Sequence, residues 1–416
     1  MAGRHPREHF TIYNRIFISL GLVIFWLANS YGQLVKYLHT PSRSLTVAFI
    51  CVVILLVSLL LKQFGARATM PSRRSLLPTL CYVVLVALVS GAVYIRGVRP
   101  GSISKAGADR RSALEVPVQA ALKGEPPYDR TTLAGSPITP MPGALLFALP
   151  FVVLRLTALQ NLLWLGLFSW VISRHFKSVY DAIFALAWLL PFSGLLLGDF
   201  GVGGDYVINA FYVLSLMLLL YRAGRHGIHQ WTRDIWAILF GISLSSRPIY
   251  CVALVLLVGA VRSRYGLYLA IRMLCLAGTA ALLVTVPIYF WDPVHFSPFH
   301  TSAFLVQFPR WFHASTVLPL IALAISSIAF MIPMSERRLL LLFGLSLGVM
   351  IIPAELLKVW SLHFADIQAT HELSYVCPAT IALTLWMFST LFGAAGIAED
   401  VTPICNSNAL WAEQEC

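Results

Sequence analysis

The residues best suited to chemistry lie in the loop at 98–140. Within it, Asp109 begins a stretch of helical periodicity over 109–123, and Gly124 follows that stretch. A carboxylate in this place has two explanations. It is either a general base that takes a proton from a reacting hydroxyl, or a residue that stabilises the free amides and the dipole at the start of a helix.

Three arginines are candidates for binding a phosphate. Arg247 interrupts a long apolar stretch and precedes Pro248. A charge inside an apolar stretch is costly and marks a functional candidate, and the guanidinium fork binds phosphate through parallel hydrogen bonds. The alternatives are an arginine that reaches to the membrane interface or one that pairs with a helix-end carbonyl. Arg110 and Arg111 are further phosphate-binding candidates, or solvated loop charges.

Other polar residues form two small groups. Asp199 and Asp205 flank a glycine-rich stretch, which suits acceptor binding, weak cation coordination, or a plain polar turn between helices. His371 and Glu372 share a later loop, but their spacing does not match a helical metal-binding motif, so exposed loop polarity is the alternative there. We expect neither a resident metal nor a cofactor.

The composition predicts where these groups lie. Of 416 residues, 58% are hydrophobic and 12% are charged, whereas soluble proteins carry about 25% charged residues. A soluble exterior cannot hide so much apolar surface, but lipid can. The net charge of +12 comes from basic residues between apolar runs. This pattern is typical of membrane topology and of attraction to anionic headgroups, and not of nucleic-acid binding.

We therefore predict an all-α, polytopic transmembrane bundle with about ten to thirteen crossings, since about 20 apolar residues span a bilayer. Residues 1–396 form one domain, and 397–416 form a flexible cytoplasmic tail. The apolar runs are 16–34, 45–62, 77–97, 141–173, 179–197, 205–221, 234–262, 266–290, 314–334, 339–357 and 374–394.

Two of these runs are too long for one simple crossing. Run 141–173 contains Pro142 and Pro150 and predicts a re-entrant piece before a full helix, or a tight hairpin; we count it as one net crossing. Run 234–262 predicts two short helices that break at Arg247-Pro248, because the residue before proline avoids helical backbone and proline lacks a donor.

The distribution of basic residues predicts the orientation. The N-terminus is cytoplasmic, and so are the links at 174–177, 222–233, 262–264 and 336–338. The opposite, extracytoplasmic side receives 98–140, 198–205, 291–313 and 358–373. Leu114, Val118, Ala121 and Leu122 share one face of the helix predicted at 109–123, so we expect that helix to lie along the membrane surface.

The order of these motifs resembles a known family over residues 98–265. An aspartate, a helix, Gly-Glu-Pro-Pro-Tyr-Asp and a proline-rich start to the next apolar run look like the first extracytoplasmic loop of GT-C superfamily glycosyltransferases. The chain is most similar to the polyprenol-phosphate-mannose-dependent mannosyltransferase-related family. The matching positions are Asp109, Gly124, Tyr128, Asp129, Pro140 to Pro142, Gly198 to Gly201, Asn209 and Arg247-Pro248.

The resemblance implies a GT-C-like fold and an inner (plasma) membrane enzyme with an extracytoplasmic active site. Such enzymes move a sugar, here with mannose as the first candidate, from a polyprenyl phosphate to a lipid-linked or cell-envelope glycan acceptor, with inversion. Asp109 is then the catalytic base, and Arg247, Arg110 and Arg111 bind the donor phosphate. The expected substrate-binding residues are Tyr128, Asp129, Asp199, Asp205, Asn209 and His371.

The alternative from another functional class is a transporter or flippase of a lipid-linked or amphipathic substrate. Broken helices and charges at mid-membrane are expected there too. A charged path that reaches both ends of the bundle would favour transport. Convergence of Asp109 and Arg247 at one end would favour transfer.

Overall fold

Most of the residues that the structure, a computed structural model, describes are helical. These are 17–24, 27, 50–54, 84, 88, 105–176, 179–189, 196, 199–200, 203–224, 228–299, 313–361 and 376–392. Within them the β-type pairing is confined to one isolated bridge between Thr131 and Pro137. The predicted all-α class is confirmed for this part of the chain.

The helix bounds follow the predicted apolar runs closely. Residues 17–24 and 50–54 are also helical. The later helices are α1 (Lys105–Leu122), α2 (Pro142–Val153), α3 (Thr157–Ser173), α4 (Val179–Leu189), α5 (Tyr206–Ala223), α6 (Gln230–Leu244), α7 (Cys251–Tyr265), α8 (Leu267–Trp291), α9 (Ala314–Ser327), α10 (Glu336–Ser361) and α11 (Cys377–Phe392), with 3₁₀ turns at Pro248–Tyr250 and Ile328–Phe330.

Among the described residues, three helical stretches are long and apolar enough to cross a membrane. They are Tyr206–Ala223, Pro248–Tyr265 and Leu267–Trp291. Along α8, Leu282, Leu283 and Phe290 are more than 60% exposed. Such an apolar surface suits lipid and not water. The number of ten to thirteen crossings remains a prediction.

Helix α5 is the centre of the bundle. Its side chains from Val207 to Tyr221 are all buried, and it packs against α3, α6, α7 and α11. At 1.5 Å per residue its 18 residues span about 27 Å, close to the thickness of the hydrocarbon core. We call the end at Tyr206 the site end and the end at Arg222 the basic end.

The predicted cytoplasmic links gather at the basic end. Glu336 accepts hydrogen bonds from both Arg222 Nε and Nη2 at 2.7 Å, and lies 2.8 Å from His175 Nδ1. Arg264 donates to Tyr221 Oη at 2.9 Å. Four links that are far apart in sequence therefore share one end, as their charges predicted.

The predicted extracytoplasmic loops gather at the site end. Ser297 Oγ donates to Ile138 O at 2.6 Å, and the rings of Tyr128 and Phe296 lie 4.8 Å apart. A hydrogen bond from Arg110 to Asp199 brings loop 98–140 to loop 198–205. The two-sided grouping is confirmed for these loops, while the fourth predicted loop, 358–373, lies mostly outside the described residues.

Run 141–173 passes once between the two ends. The N-terminus of α2 contacts the break at Ser245-Ser246, and Asn161 near the start of α3 donates to Phe200 O at 2.9 Å. Both contacts are at the site end, whereas His175, just after α3, is at the basic end. The 12-residue α2 therefore begins and ends on the site side, and α3 alone runs from there to the basic end.

Helix α1 differs from its prediction in two respects. It begins at Lys105 and not at 109, so Asp109 lies inside the helix and is not its N-cap. Leu114 and Val118 are buried against α2, but Leu122 is 58% exposed, so it does not belong to the packed face. Gly124 ends the helix as predicted, with φ of +78°, a conformation that favours glycine.

The break in run 234–262 is bound to the start of α2 by main-chain atoms. Met141 N donates to Ser246 O at 3.0 Å and Gly143 N donates to Ser245 O at 2.7 Å. A Cβ atom on Gly143 would lie 2.1 Å from Ile242 O and 2.7 Å from the Ser245 carbonyl. Only glycine at position 143 permits the start of α2 to approach the break at Ser245-Ser246 this closely.

We therefore expect Gly143→Ala to destabilise the fold by about 1–3 kcal/mol, because a backbone must move to admit the methyl group. The matched control is Gly166→Ala in α3, where no atom lies within 4 Å of the added carbon and alanine favours the helix. Unfolding in detergent, followed by tryptophan fluorescence, measures both. Equal stability of the two variants would contradict the packing described.

Candidate functional site

The first ion pair of the site joins α1 to the loop before α5. Arg110 Nη1 lies 2.5 Å from Asp199 Oδ1, and the Asp199 side chain is fully buried. The other oxygen of Asp199, Oδ2, accepts from Val207 N at 3.0 Å. Asp199 therefore satisfies a free amide at the start of α5 and holds α1 beside that helix end.

The second ion pair joins the break in run 234–262 to α5. Arg247 Nη2 lies 2.5 Å from Asp205 Oδ2, and both side chains are at most 4% exposed. Arg247 Nη1 also donates to Thr139 Oγ1 at 2.8 Å. The backbone of Arg247 is extended, with φ −152° and ψ 142°, as its place before proline predicts.

Tyr206 lies between the two pairs. The guanidinium carbon of Arg247 is 4.5 Å from the centre of its ring, and that of Arg110 is 5.7 Å away. Both distances are within the range of cation–π attraction. We call Arg110, Asp199, Asp205, Tyr206 and Arg247 the Tyr206 cluster. Its two arginines and two aspartates balance one another in charge.

A glycine fixes the geometry of the loop that supplies both aspartates. A Cβ atom on Gly204 would lie 2.2 Å from Asp199 Oδ1, and Gly204 N donates to Asp199 O at 2.8 Å. Gly204 of the predicted glycine-rich stretch therefore packs directly against a buried carboxylate.

Asp109 immediately precedes Arg110 on α1 and differs from the two aspartates of the cluster. Within the described part of the chain it forms no ion pair, and its Oδ1 atom is buried without a hydrogen-bond partner. Its backbone is fixed, since Ser112 Oγ donates to Asp109 O at 2.8 Å and accepts from Leu133 N at 3.1 Å. A buried carboxylate oxygen without a donor is costly, and it is available to accept one.

Asn209 and Tyr128 support the cluster from its edges. Asn209 Nδ2 donates to Asp205 Oδ2 at 3.0 Å, and Tyr212 Oη donates to Asn209 Oδ1. Tyr128 is 4% exposed, and its hydroxyl donates to Pro140 O at 2.9 Å. Their polar atoms therefore bind to protein groups in this structure.

Two predicted site residues lie apart from the cluster, and a third is not described. Arg111 Nε lies 2.6 Å from Glu115 Oε1, which also accepts from Thr157 at 2.7 Å, so Arg111 is directed toward the start of α3. The Asp129 side chain is 55% exposed. His371 lies outside the described residues.

His295 links the segment after α8 to loop 98–140. Its Nδ1 lies 2.7 Å from Asp292 Oδ2, and its Nε2 lies 3.7 Å from Asp129 Oδ1. The buried ring of Phe296 follows directly and packs on Tyr128. The segment 292–296 therefore packs on the part of loop 98–140 that contains Tyr128 and Asp129.

Three residues of the site were not predicted. Tyr206 directly follows Asp205, and Thr139 lies in the proline-rich stretch, but neither has a signal of its own in the sequence. Cys377, at the start of α11, is fully buried near Asp199. It looked like an ordinary apolar-run cysteine. Only the fold brings these residues to the cluster.

Removal of one partner of the Arg110–Asp199 pair leaves a buried charge without compensation. We expect Asp199→Asn to lower the free energy of unfolding by about 3 kcal/mol. The double variant Arg110→Gln/Asp199→Asn should recover part of that loss. Denaturant unfolding in micelles for the two single variants and the double variant measures the coupling, and strictly additive losses would mean that the pair does not interact.

The pKa of His295 is raised by the hydrogen bond to Asp292, then by the negative charges of Asp292 and Asp129. The interaction of protonated His295 with these carboxylates therefore contributes its full stability below the unfolded-state pKa of about 6.5. That contribution is lost as the pH rises through the raised pKa of the folded state. Titration of labelled histidine by NMR, assigned with His295→Gln, should give a midpoint above 6.5. In Asp292→Asn the midpoint should fall, and an unchanged midpoint would contradict the contact.

Comparison with known proteins gives no relative for this chain. No protein-family model matches it, and neither a curated protein nor a solved structure matches it. The geometry of the site and the motif order along the chain therefore carry the functional argument.

Proposed function

We propose that this protein is a multi-pass membrane glycosyltransferase of the GT-C type. It moves a sugar, with mannose as the first candidate, from a polyprenyl-phosphate donor to a lipid-linked or cell-envelope acceptor. The reaction takes place at the site end of the bundle, which we assign to the extracytoplasmic face.

The observation that carries the proposal is the state of Asp109. Asp109, Asp199 and Asp205 lie at the site end, and two of them, Asp199 and Asp205, are bound to arginines. Asp109 alone among these three forms no ion pair within the described chain, and its Oδ1 lacks a donor. A base needs a free acceptor oxygen, and this unpaired oxygen is what supports Asp109 in that role.

One carboxylate is sufficient for this chemistry. The acceptor oxygen forms a bond to the anomeric carbon while the bond from that carbon to the phosphate oxygen breaks, and the acceptor proton passes to Asp109. The polyprenyl phosphate leaves as an anion and needs no acid, unlike the sugar leaving group of a glycosidase, for which a second carboxylate serves. Attack from the opposite face inverts the anomeric centre.

The arginines of the Tyr206 cluster are the proposed ligands of the donor phosphate. Arg247 is held by Asp205, Thr139 and the Tyr206 ring, so its guanidinium has a fixed direction before substrate binds. Such preorganisation reduces the cost of ordering a side chain on binding. Because the two aspartates already balance the two arginines, the cluster offers oriented donors and not a net positive charge. Arg111, bound to Glu115, is the weaker candidate.

The charge distribution supports the orientation. Around the basic end the described residues include eight arginines and three carboxylates: Arg174, Arg222, Arg233, Arg262, Arg264, Arg272, Arg337 and Arg338 with Asp181, Asp234 and Glu336. Lysine and arginine accumulate on the cytoplasmic side of membrane proteins. The site end then faces outward, where a polyprenyl-linked sugar for envelope assembly would be consumed.

Transport has less support. Along the described central helix α5, the stretch from Asn209 to Tyr221 contains no charged side chain. A path for a charged or amphipathic substrate between the two ends would need polar groups at mid-membrane, whereas the ion pairs of the described residues lie at the two ends.

We expect Asp109→Asn to abolish sugar transfer by isolated membranes, with a loss of at least 10²-fold, because proton removal by a positioned base contributes about 10²–10⁴-fold. The matched control is Glu125→Gln, an exposed carboxylate of the same loop that pairs with Arg130, and it should retain activity. The assay supplies a panel of polyprenyl-phosphate sugars and crude envelope lipids, with products identified by mass spectrometry. Full activity of Asp109→Asn in correctly folded protein would refute the proposed mechanism.

A further inference from the structure

A second charged surface lies at the opposite end of the bundle from the Tyr206 cluster. Arg222 at the end of α5, Arg262 and Arg264 at the end of α7, and Arg337 and Arg338 at the start of α10 lie around Glu336. Their contacts join them, since Arg222 binds Glu336 and Tyr221 Oη donates to Met334 O while it accepts from Arg264. We call these five arginines the basic corner.

The basic corner has a large excess of positive charge. Its carboxylate, Glu336, is already bound by Arg222 and His175. The described partners of three other arginines are neutral groups: Arg264 donates to Tyr221 Oη, Arg338 donates to Pro333 O, and Arg262 lies 5.7 Å from the centre of the Phe330 ring. Positive charges that outnumber the carboxylates at one end of the bundle attract an anion.

An apolar rim borders this surface. Leu267 and Tyr268, three to six residues after Arg264 and Arg262, are 58% and 77% exposed, and Met331, next to Phe330, is 83% exposed. A soluble polyanion would gain nothing from these side chains. A phospholipid carries a charged headgroup and acyl chains, so it matches both halves of the surface.

We propose that the basic corner binds the headgroup of an anionic phospholipid, whose acyl chains lie along the apolar rim. The site lies at the other end of α5 from Asp109 and does not depend on the glycosyltransferase assignment. It requires only that the bundle is embedded in a bilayer that contains acidic lipid.

The test is native mass spectrometry of the purified protein in detergent, titrated with phosphatidylglycerol or phosphatidylcholine. We expect phosphatidylglycerol adducts to form at lower lipid concentration than phosphatidylcholine adducts. The variant Arg262→Gln/Arg337→Gln/Arg338→Gln should need about tenfold more phosphatidylglycerol for the same occupancy, since each basic residue near an anionic headgroup contributes about fivefold and the three contributions overlap.

Two control variants separate charge from structure. Arg262→Lys/Arg337→Lys/Arg338→Lys keeps the charges and should retain most of the binding, and Arg130→Gln removes an exposed arginine at the site end and should change nothing. If the triple glutamine variant does not fold, Arg262→Gln alone serves, because this arginine is exposed and should reduce binding severalfold.

Three results would overturn the proposal. Equal affinity for the two lipids would exclude recognition of the headgroup charge. Unchanged binding of phosphatidylglycerol by the folded glutamine variant would exclude this surface as its site. Displacement of phosphatidylglycerol by inorganic polyphosphate at the same phosphate concentration would indicate a soluble polyanion as the partner.

Discussion

Two buried ion pairs around one tyrosine hold the site end together. The Arg110–Asp199 pair attaches α1 to the start of α5, and the Arg247–Asp205 pair attaches the helix break to the same place. Tyr206 lies between both guanidinium groups. Buried charges are costly unless they are paired and hydrogen-bonded, so each of the four charged groups depends on its partner. This mutual dependence fixes the positions of α1, the start of α5 and the helix break relative to one another. Asp109 does not take part in either ion pair.

The two ends of the bundle differ in kind. At the site end, cations and carboxylates are nearly equal in number among the described residues, and two of their pairs are buried. At the basic end, arginines exceed carboxylates and are often exposed or bound to neutral groups. The central helix α5 connects these ends through an apolar interior. Such a division suits a protein that performs chemistry at one membrane face and contacts charged lipid at the other.

Much of this arrangement was predictable from the sequence, for physical reasons. Apolar runs predicted the helices, proline after Arg247 predicted the break, and basic links predicted which loops share an end. Pairings between distant residues were not predictable, because nothing in the sequence specifies that Arg110 meets Asp199 or that Arg247 meets Asp205. For the same reason Tyr206 and Thr139 escaped notice. The start of α1 was also misplaced, since Lys105 to Ala108 carries no apolar periodicity that would mark a helix.

The junction between α2 and the break at Ser245-Ser246 has a consequence for how this region can vary. The start of α2 supplies the N–H donors and the break supplies the C=O acceptors. In hydrocarbon these backbone groups would otherwise lack partners, at a cost of several kcal/mol each. These bonds come from N–H and C=O groups, so they do not depend on the side chain at position 141. Positions 143 and 246 are more restricted, because Gly143 has no room for a Cβ atom and the buried Ser246 hydroxyl donates to Ser243 O. A single inserted or deleted residue on either side would shift every donor away from its acceptor, so chain length here is under strict constraint as well.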